Sequence, residues 1–435
     1  MKESLENTYE LVLGMEIHMH LKLNTKVFCR CSADMYGARP NSHVCPSCLG
    51  LPGALPVPNK KAIEYAQLLG LALGSKLAKV SKFDRKNYFY PDLTKGYQIS
   101  QYDQPFCYEG SLKIGEKTFQ ITRVHLEEDT GKSLHEHGKT LLDFNKAGMP
   151  LVEIVTEPDF RKPEEAVEFG KEIQRIARYL KISEADMEKG QLRLEANISL
   201  RKTGETKLPK YKVEVKNINS FRFLEKAVNY EIKRQSEILN KGETPTQENR
   251  GWDDVKQITV SQRDKEEAHD YRYFPEPDIP PMEFSEAYIE NLKKSLCELP
   301  YQKRERFYTE FGLNKEVVNV LCDTPELAEK FELSAKKADP KTVANLIVNK
   351  PQYREMEPSE IIKAVEAEKS RVVLGDGALL PIVKDVLSQN PKAVEDYRSG
   401  KTSAIAFLVG QGMKASKGQG DAVKLKDLFE KELKS

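Results

Sequence analysis

Across residues 11–22 the chain alternates strictly. Leu11, Leu13, Met15, Ile17, Met19 and Leu21 fall on one set of positions, and Glu16, His18, His20 and Lys22 on the other. Residues two apart on a β-strand share a face at roughly 7 Å spacing. Such a strand would turn one face to a core and present a carboxylate beside imidazoles on the other. The pattern recurs. In residues 122–129, Val124 and Leu126 oppose Arg123, His125 and Glu127. In residues 191–201, Leu192, Leu194, Ala196, Ile198 and Leu200 oppose Arg193, Glu195, Asn197 and Ser199. In residues 211–216, Val213 and Val215 oppose Lys212, Glu214 and Lys216, while the more apolar stretch 150–159 contains Glu153 and Glu157. An ordinary solvated sheet face is the plain alternative. Solvated faces, however, mix Thr, Ser, Lys and Gln, whereas carboxylates, His and Arg recur here. If these strands pair, their carboxylates crowd and repel. A divalent cation relieves that repulsion. Mg²⁺ takes a few carboxylates plus substrate phosphates, with Arg and Lys on the same face holding those phosphates.

A second constellation is Cys29-x-Cys31 and Cys45-Pro-Ser-Cys48, with thirteen residues between the pairs. Four thiolates in two close pairs satisfy a tetrahedral Zn²⁺ and leave no open position, so the expected site (residues 29–48) is structural. His43 is a spare candidate ligand. Packing as small hydrophobes is the alternative, and a catalytic thiol would need a base and an electropositive pocket. Cys107, Cys297 and Cys322 are isolated.

These groups must be positioned by 435 residues, 39% hydrophobic and 31% charged, with formal net charge +1. That is too long for one ordinary core and too neutral for a general nucleic-acid coat. No run approaches the ~18 apolar residues of a membrane helix, and the polar N-terminus does not resemble a signal peptide, so a cytoplasmic protein without membrane contact is expected. Neither GxxxxGK[ST] nor GxGxxG after a strand occurs. Helices are expected from Lys60 to about Gly74 capped by Asn59, from Pro163 to about Leu180, and from Phe223 to about Asn240. Alternating segments dominate up to about residue 290, and helical periodicity dominates after the Pro-rich stretch 275–281. The expected fold is α+β, with a largely antiparallel sheet in residues 1–290, a helical domain in 291–373 and a small α-helical tail in 374–435.

Nine stretches resemble the GatB family, in that family's order. They are GMEIHMHL (14–21), LPGALPVPNKKA (51–62), KFDRKNYFYPDLTKGYQISQYDQP (82–105), ITRVHLEEDTGKS (121–133), AGMPLVEIVTEPD (147–159), LRLEANISLR (192–201), VEVKNINSF (213–221), HDYRYFPEPDIPP (269–281) and FLVGQGMKASKGQ (407–419). The resemblance implies a cradle domain similar to glutamine synthetase and guanidino kinases, followed by a helical domain and a YqeY-like tail that hold tRNA. It implies a heterotrimer with GatA and GatC, and a ligase that forms a carbon–nitrogen bond with glutamine as amido donor. ATP and Mg²⁺ would phosphorylate the side-chain carboxylate of Glu-tRNA(Gln) or Asp-tRNA(Asn). Ammonia released by GatA would then displace the phosphate.

Carried over residue by residue, the implied Mg²⁺ ligands are Glu16, His18, Glu128, Glu153 and Glu195. The alternation favours Glu127 over Glu128 beside His125, and a bulge could expose either, so both stand as candidates. Arg123, Arg193 and Lys216, with Lys86 from the basic–aromatic stretch 82–92, are the candidate ATP-binding residues. That stretch also suits a single-stranded nucleic-acid end. Paired cysteines vary within the family; all four are present here. The helical region is several dozen residues shorter than is usual in the family. The competing reading from another class is a non-catalytic tRNA-binding scaffold.

Overall fold

A computed structural model describes residues 8–264, 271–369, 374–416 and 419–434. His269, Asp270, Lys417 and Gly418, parts of two stretches noted above, lie outside them. Two compact units result: Met1–Gly312 with Cys322–Pro325, and Leu313–Leu321 with Glu326–Ser435.

The first unit begins β1 (Tyr9–His20), α1 (Lys60–Ala72), β2 (Lys76–Leu77), β3 (Val80–Ser81), β4 (Asp84–Asn87), β5 (Tyr97–Ser100), β6 (Cys107–Ile114) and β7 (Lys117–Glu128). It continues β8 (Lys132–Glu136), β9 (Lys139–Asp143), β10 (Pro150–Thr156), α2 (Pro163–Tyr179), β11 (Leu192–Lys202), β12 (Val213–Ile218) and α3 (Phe221–Asn240). It closes with β13 (Glu248–Asp253), β14 (Ile258–Asp264), β15 (Phe274–Pro275), β16 (Met282–Glu283), α4 (Glu286–Lys294) and α5 (Pro300–Phe311). The last two are helices that follow the Pro-rich stretch yet belong to this unit.

Nine strands form one sheet in the order β14-β13-β12-β11-β1-β10-β7-β6-β2. β12 and β13 run parallel, and the other pairs are antiparallel. The four alternating segments read from the sequence, together with the more apolar stretch 150–159, are therefore five adjacent strands. Register aligns their polar positions. Glu16 lies opposite Glu195, and His18 lies between Arg193 and Glu153. Glu153 faces His125, Leu151 faces Glu127, and Asn197 faces Glu214.

The opposite face is apolar. Met15, Ile17, Met19, Leu194, Val124 and Ile154 are buried there. Helices α1, α2 and α3 cover that face with Ala66 and Leu69, Phe169 and Ile173, and Leu224 and Val228. This one-sided burial pins the register, because a slip of one residue would exchange the two faces.

Local chemistry sets the helix starts. The Asn59 carboxamide accepts from the amides of Lys61 and Ala62 at 3.0 and 3.3 Å. Pro163 opens α2 with Glu164 and Glu165 in its first turn, where acids complement the helix dipole. Ser220 caps α3. A three-stranded sheet, β15-β4-β5, is tied down by Arg85, whose guanidinium donates twice to Glu276 at 2.7 Å.

The second unit is helical throughout its described residues: α6 (Lys315–Leu321), α7 (Pro325–Ala335), α8 (Pro340–Asn349), α9 (Gln352–Glu355), α10 (Pro358–Lys369), α11 (Asp376–Gln389), α12 (Pro391–Arg398), α13 (Ala404–Ala415) and α14 (Ala422–Lys434). Leu379, Val383, Leu408, Leu425 and Phe429 form a core among its last four helices.

Candidate active site

The polar face of β12, β11, β1, β10 and β7 floors a cleft of about 430 Å³. Two carboxylate groups meet there. In one, ligand atoms of His18, Glu127 and Glu153 lie within 4.8 Å of one another; in the other, those of Glu16, Glu195 and Glu214 do. His18 Nε2 is 3.5 Å from Glu153 and 3.8 Å from Glu127, and its Nδ1 is 4.0 Å from Glu195. His18 thus stands between the two groups. His125 Nε2 approaches Glu153 from the next strand at 3.2 Å. Asn197 Nδ2 donates to Glu16 at 2.8 Å. Lys216 bridges Glu195 and Glu214 at 2.9 and 3.2 Å.

Burial first, then the carboxylates of Glu153, Glu195 and Glu214, raise the Glu16 pKa above the ordinary carboxylate value. Burial alone would lower the His18 pKa, but Glu153, Glu195 and Glu127 outweigh it and raise it to about 9. Burial likewise opposes ionisation of Glu153, yet His125 and His18 hold its pKa well below the usual range. Crowded carboxylates with imidazoles as partial counter-charges form a donor set that suits a hard divalent cation. Arg123 Nε and His125 Nδ1 are buried without hydrogen-bond partners. Arg123 lines the cleft with Lys86, Arg193, Lys212 and Lys216, so an anionic group there would meet a cluster of cations that includes the unpartnered Arg123 Nε.

Of the expected metal ligands, Glu16, His18, Glu153 and Glu195 are brought together. Glu128 is not among them in this structure. No bulge separates Glu127 from Glu128; the irregularity in this pairing falls between Val155 and Thr156. Alternation therefore turns Glu128 to the other side of β7. There it accepts from the Ile99 amide at 2.9 Å and pairs with Lys95 at 2.7 Å, beside a separate small cavity shared with Cys29 and Cys48. Glu127 occupies the cleft, held by Ser100 Oγ at 3.1 Å.

Four contributors went unassigned on sequence. Glu214 and His125 were visible in the alternation. Asp129 lies just past the end of β7, where alternation gives no signal. It gathers His20 at 2.6 Å, Lys146 at 2.8 Å and Arg193 at 3.1 Å. Tyr273 arrives from a segment remote in sequence.

Sulfur atoms of Cys29, Cys31, Cys45 and Cys48 also lie within 4.8 Å of one another. Cys31 and Cys48 Sγ are 4.0 Å apart, close to the ~3.8 Å edge of a tetrahedron with zinc–sulfur bonds of ~2.3 Å. The donor set fits such an ion. His43 does not join this group; its backbone amide donates to Asn145 Oδ1 at 2.7 Å.

Residues 11–290 match the family model of the GatB/GatE catalytic domain, and residues 327–433 that of the GatB domain. The chain belongs to the GatB/GatE family. The GatB/GatE catalytic match takes in both carboxylate groups and all four cysteines. Among relatives, the B subunit of the aspartyl/glutamyl-tRNA(Asn/Gln) amidotransferase of Thermoanaerobacter pseudethanolicus is 43% identical over 98% of this chain and 99% of its own. The protein of the same name from Thermodesulfovibrio yellowstonii is 44% identical over the same shares, and that from Thermotoga maritima 44% over 95% and 96%. The alignment with the first spans 476 positions against 435 residues here, so that relative carries residues with no counterpart in this chain. Among the described residues no helix is long and apolar enough to cross a membrane.

Proposed function

We propose that this chain is the GatB component of a tRNA-dependent amidotransferase, and that its cleft activates the side-chain carboxylate of glutamate or aspartate misacylated on tRNA(Gln) or tRNA(Asn). The observation that carries the reading is the meeting of His18–Glu127–Glu153 and Glu16–Glu195–Glu214 on one face of five adjacent strands, in a chain whose relatives bear an amidotransferase name.

A carboxylate resists ammonia because its leaving group is poor. ATP with Mg²⁺, when bound, supplies a phosphoryl group that makes the oxygen a good one. The two carboxylate groups and His18 would hold the cation. Arg123, Arg193, Lys86 and Lys216 would hold and orient phosphate oxygens. An acyl phosphate hydrolyses readily, so the cleft must exclude water and receive ammonia from within the complex. The enzyme is a ligase forming a carbon–nitrogen bond, working in the cytoplasm with a GatA glutaminase and GatC. Residues 291–373 and the tail 374–435 hold the tRNA, and Cys29, Cys31, Cys45 and Cys48 bind a structural Zn²⁺. A plain tRNA-binding scaffold suits the cleft less well, because its carboxylates would repel a phosphate backbone.

The test is transfer of labelled γ-phosphate from ATP to Glu-tRNA(Gln) and Asp-tRNA(Asn), with Mg²⁺ and without glutamine, by the chain co-expressed with GatA and GatC. Turnover that requires the misacylated tRNA and falls more than about 100-fold in Glu16→Ala is expected, since even outer-shell changes at metal sites cost ~10–100-fold. A well-folded complex without tRNA-dependent turnover would favour the scaffold.

A further inference from the structure

The floor of the cleft continues where the cleft stops. On β1 the polar face runs through His18 to His20, and these two line different cavities. His18 lines the cleft, and His20 a second cavity of about 210 Å³. The neighbouring strands divide at the same level. Leu151 and Arg193 line the cleft, whereas Met149 and Gln191, each two residues back on the same face, line the second cavity. One trough is thus cut in two. The second part is open to solvent, since the side chains of Lys22 and Glu184 in its wall are 65% and 59% exposed.

The partition is a hydrogen-bonded pair. His20 is 7% exposed, and Asp129, which lines the cleft, 4%. His20 Nε2 donates to Asp129 Oδ2 at 2.6 Å. Lys146 and Arg193 donate to the same carboxylate at 2.8 and 3.1 Å. Backbone bonds fix both members: the His20 amide donates to the Gln191 carbonyl and the Asp129 amide to that of Met149, each at 2.9 Å. Removing the imidazole would leave a space bordered by Asp129, a charged acceptor. An apolar void stays dry, but a void with several polar partners takes up water. That water would connect the open cavity with the cleft.

An acyl phosphate makes this connection harmful. Ammonia at its acyl carbon forms the C–N bond, breaks the C–O bond and passes one proton to the departing phosphate. Water at the same carbon returns the carboxylate instead and passes both its protons to the phosphate, so that ATP is consumed without product. We propose that His20 is a positioning residue that, through Asp129, seals the cleft against solvent on this side, so that ammonia rather than water meets the activated carboxyl. The seal rests on the function proposed above.

The experiment uses the complete complex with misacylated tRNA, ATP, Mg²⁺ and glutamine, and measures amide formed per ADP released. Wild type is compared with His20→Ala, His20→Asn and His20→Gln, with thermal unfolding as the check on folding. In His20→Ala, tRNA-dependent ATP consumption should persist while amide per ADP falls by roughly tenfold, the low end of what loss of an outer-shell partner costs. Glutamine carries an Nε2 donor of similar reach to the imidazole, so His20→Gln should restore coupling. His20→Asn is shorter and should leave it low. Imidazole added to His20→Ala, entering through the open cavity, should restore it as well. Coupling in folded His20→Ala equal to wild type refutes the seal. So does a proportional fall in ATP consumption and amide, which would make His20 only a support for Arg193. Where the alanine variant does not fold, the contrast between His20→Asn and His20→Gln decides in the same way. A wild type whose ATP consumption ignores misacylated tRNA overturns the proposed function, and the seal with it.

Discussion

Neighbouring glutamates with opposite destinies show how much one position decides. Glu127 lies within reach of His18, and Glu128 lies on the far side of the same strand with Lys95. Glu127→Gln is therefore expected to lower phosphoryl transfer by at least about tenfold with little change in stability. Glu128→Gln should instead cost on the order of 1–3 kcal/mol of stability, because it leaves the Lys95 cation without its counter-charge. Denaturant titration beside initial-rate assays separates the two, and the reverse pattern would return Glu128 to the site. A second residue, Lys26, is fully buried. Its ammonium reaches Cys48 Sγ at 3.6 Å and the Phe144 carbonyl at 3.2 Å. A buried charge requires a partner, and the Cys48 thiolate is the one in reach. The Cys29 hydrogen bond first, with Lys26 among the further causes, draws the Cys48 pKa down to about 4. With the proposed zinc bound, Lys26→Met should therefore speed its loss to a chelator, approaching the behaviour of a Cys45→Ser, Cys48→Ser double variant. Zinc retention equal to wild type would refute the pairing.

At the scale of elements, β1 serves both faces of the sheet. Ile17 is fully buried between the site residues Glu16 and His18. Ile17→Ala should cost about 2–5 kcal/mol, from lost burial plus the cavity left behind. The strand pairs hold its register on both sides, so the site survives while the fold does. Chemical denaturation should show the loss, and activity measured well below the unfolding temperature should remain near wild type. A proportional loss of activity in the fully folded variant would mean that the floor of the cleft shifts when its core thins.

Over the whole molecule, the chemistry-bearing side chains gather in the first unit, and the last four helices hold their own apolar core. Removing residues from 374 onward should weaken tRNA binding by tenfold or more. Phosphoryl transfer at saturating misacylated tRNA should be spared, because no cleft residue is lost. Gel-shift affinity and saturating turnover measure the two separately. Unchanged affinity would show that the tail does not hold tRNA.

Sequence alone determined what repeats with a fixed period or a short spacing. A period of two placed Glu16, His18, Arg123, Arg193, Glu195 and Lys216 on polar strand faces, since the pleat forces alternate side chains to opposite sides. Caps and prolines set the starts of α1 and α2 because those interactions span only a few residues. The two close cysteine pairs were legible for the same reason. Tertiary structure decided what depends on pairing between distant segments. It set Glu127 in the cleft and Glu128 on the other side of the strand, since only the register of β7 on β10 shows that no bulge intervenes. It brought Glu214 against Glu16 across β11, and it set Asp129 among His20, Lys146 and Arg193. Such meetings follow from the order of strands in the sheet, and strand order is fixed by the burial of the whole apolar face, which no local window of sequence contains.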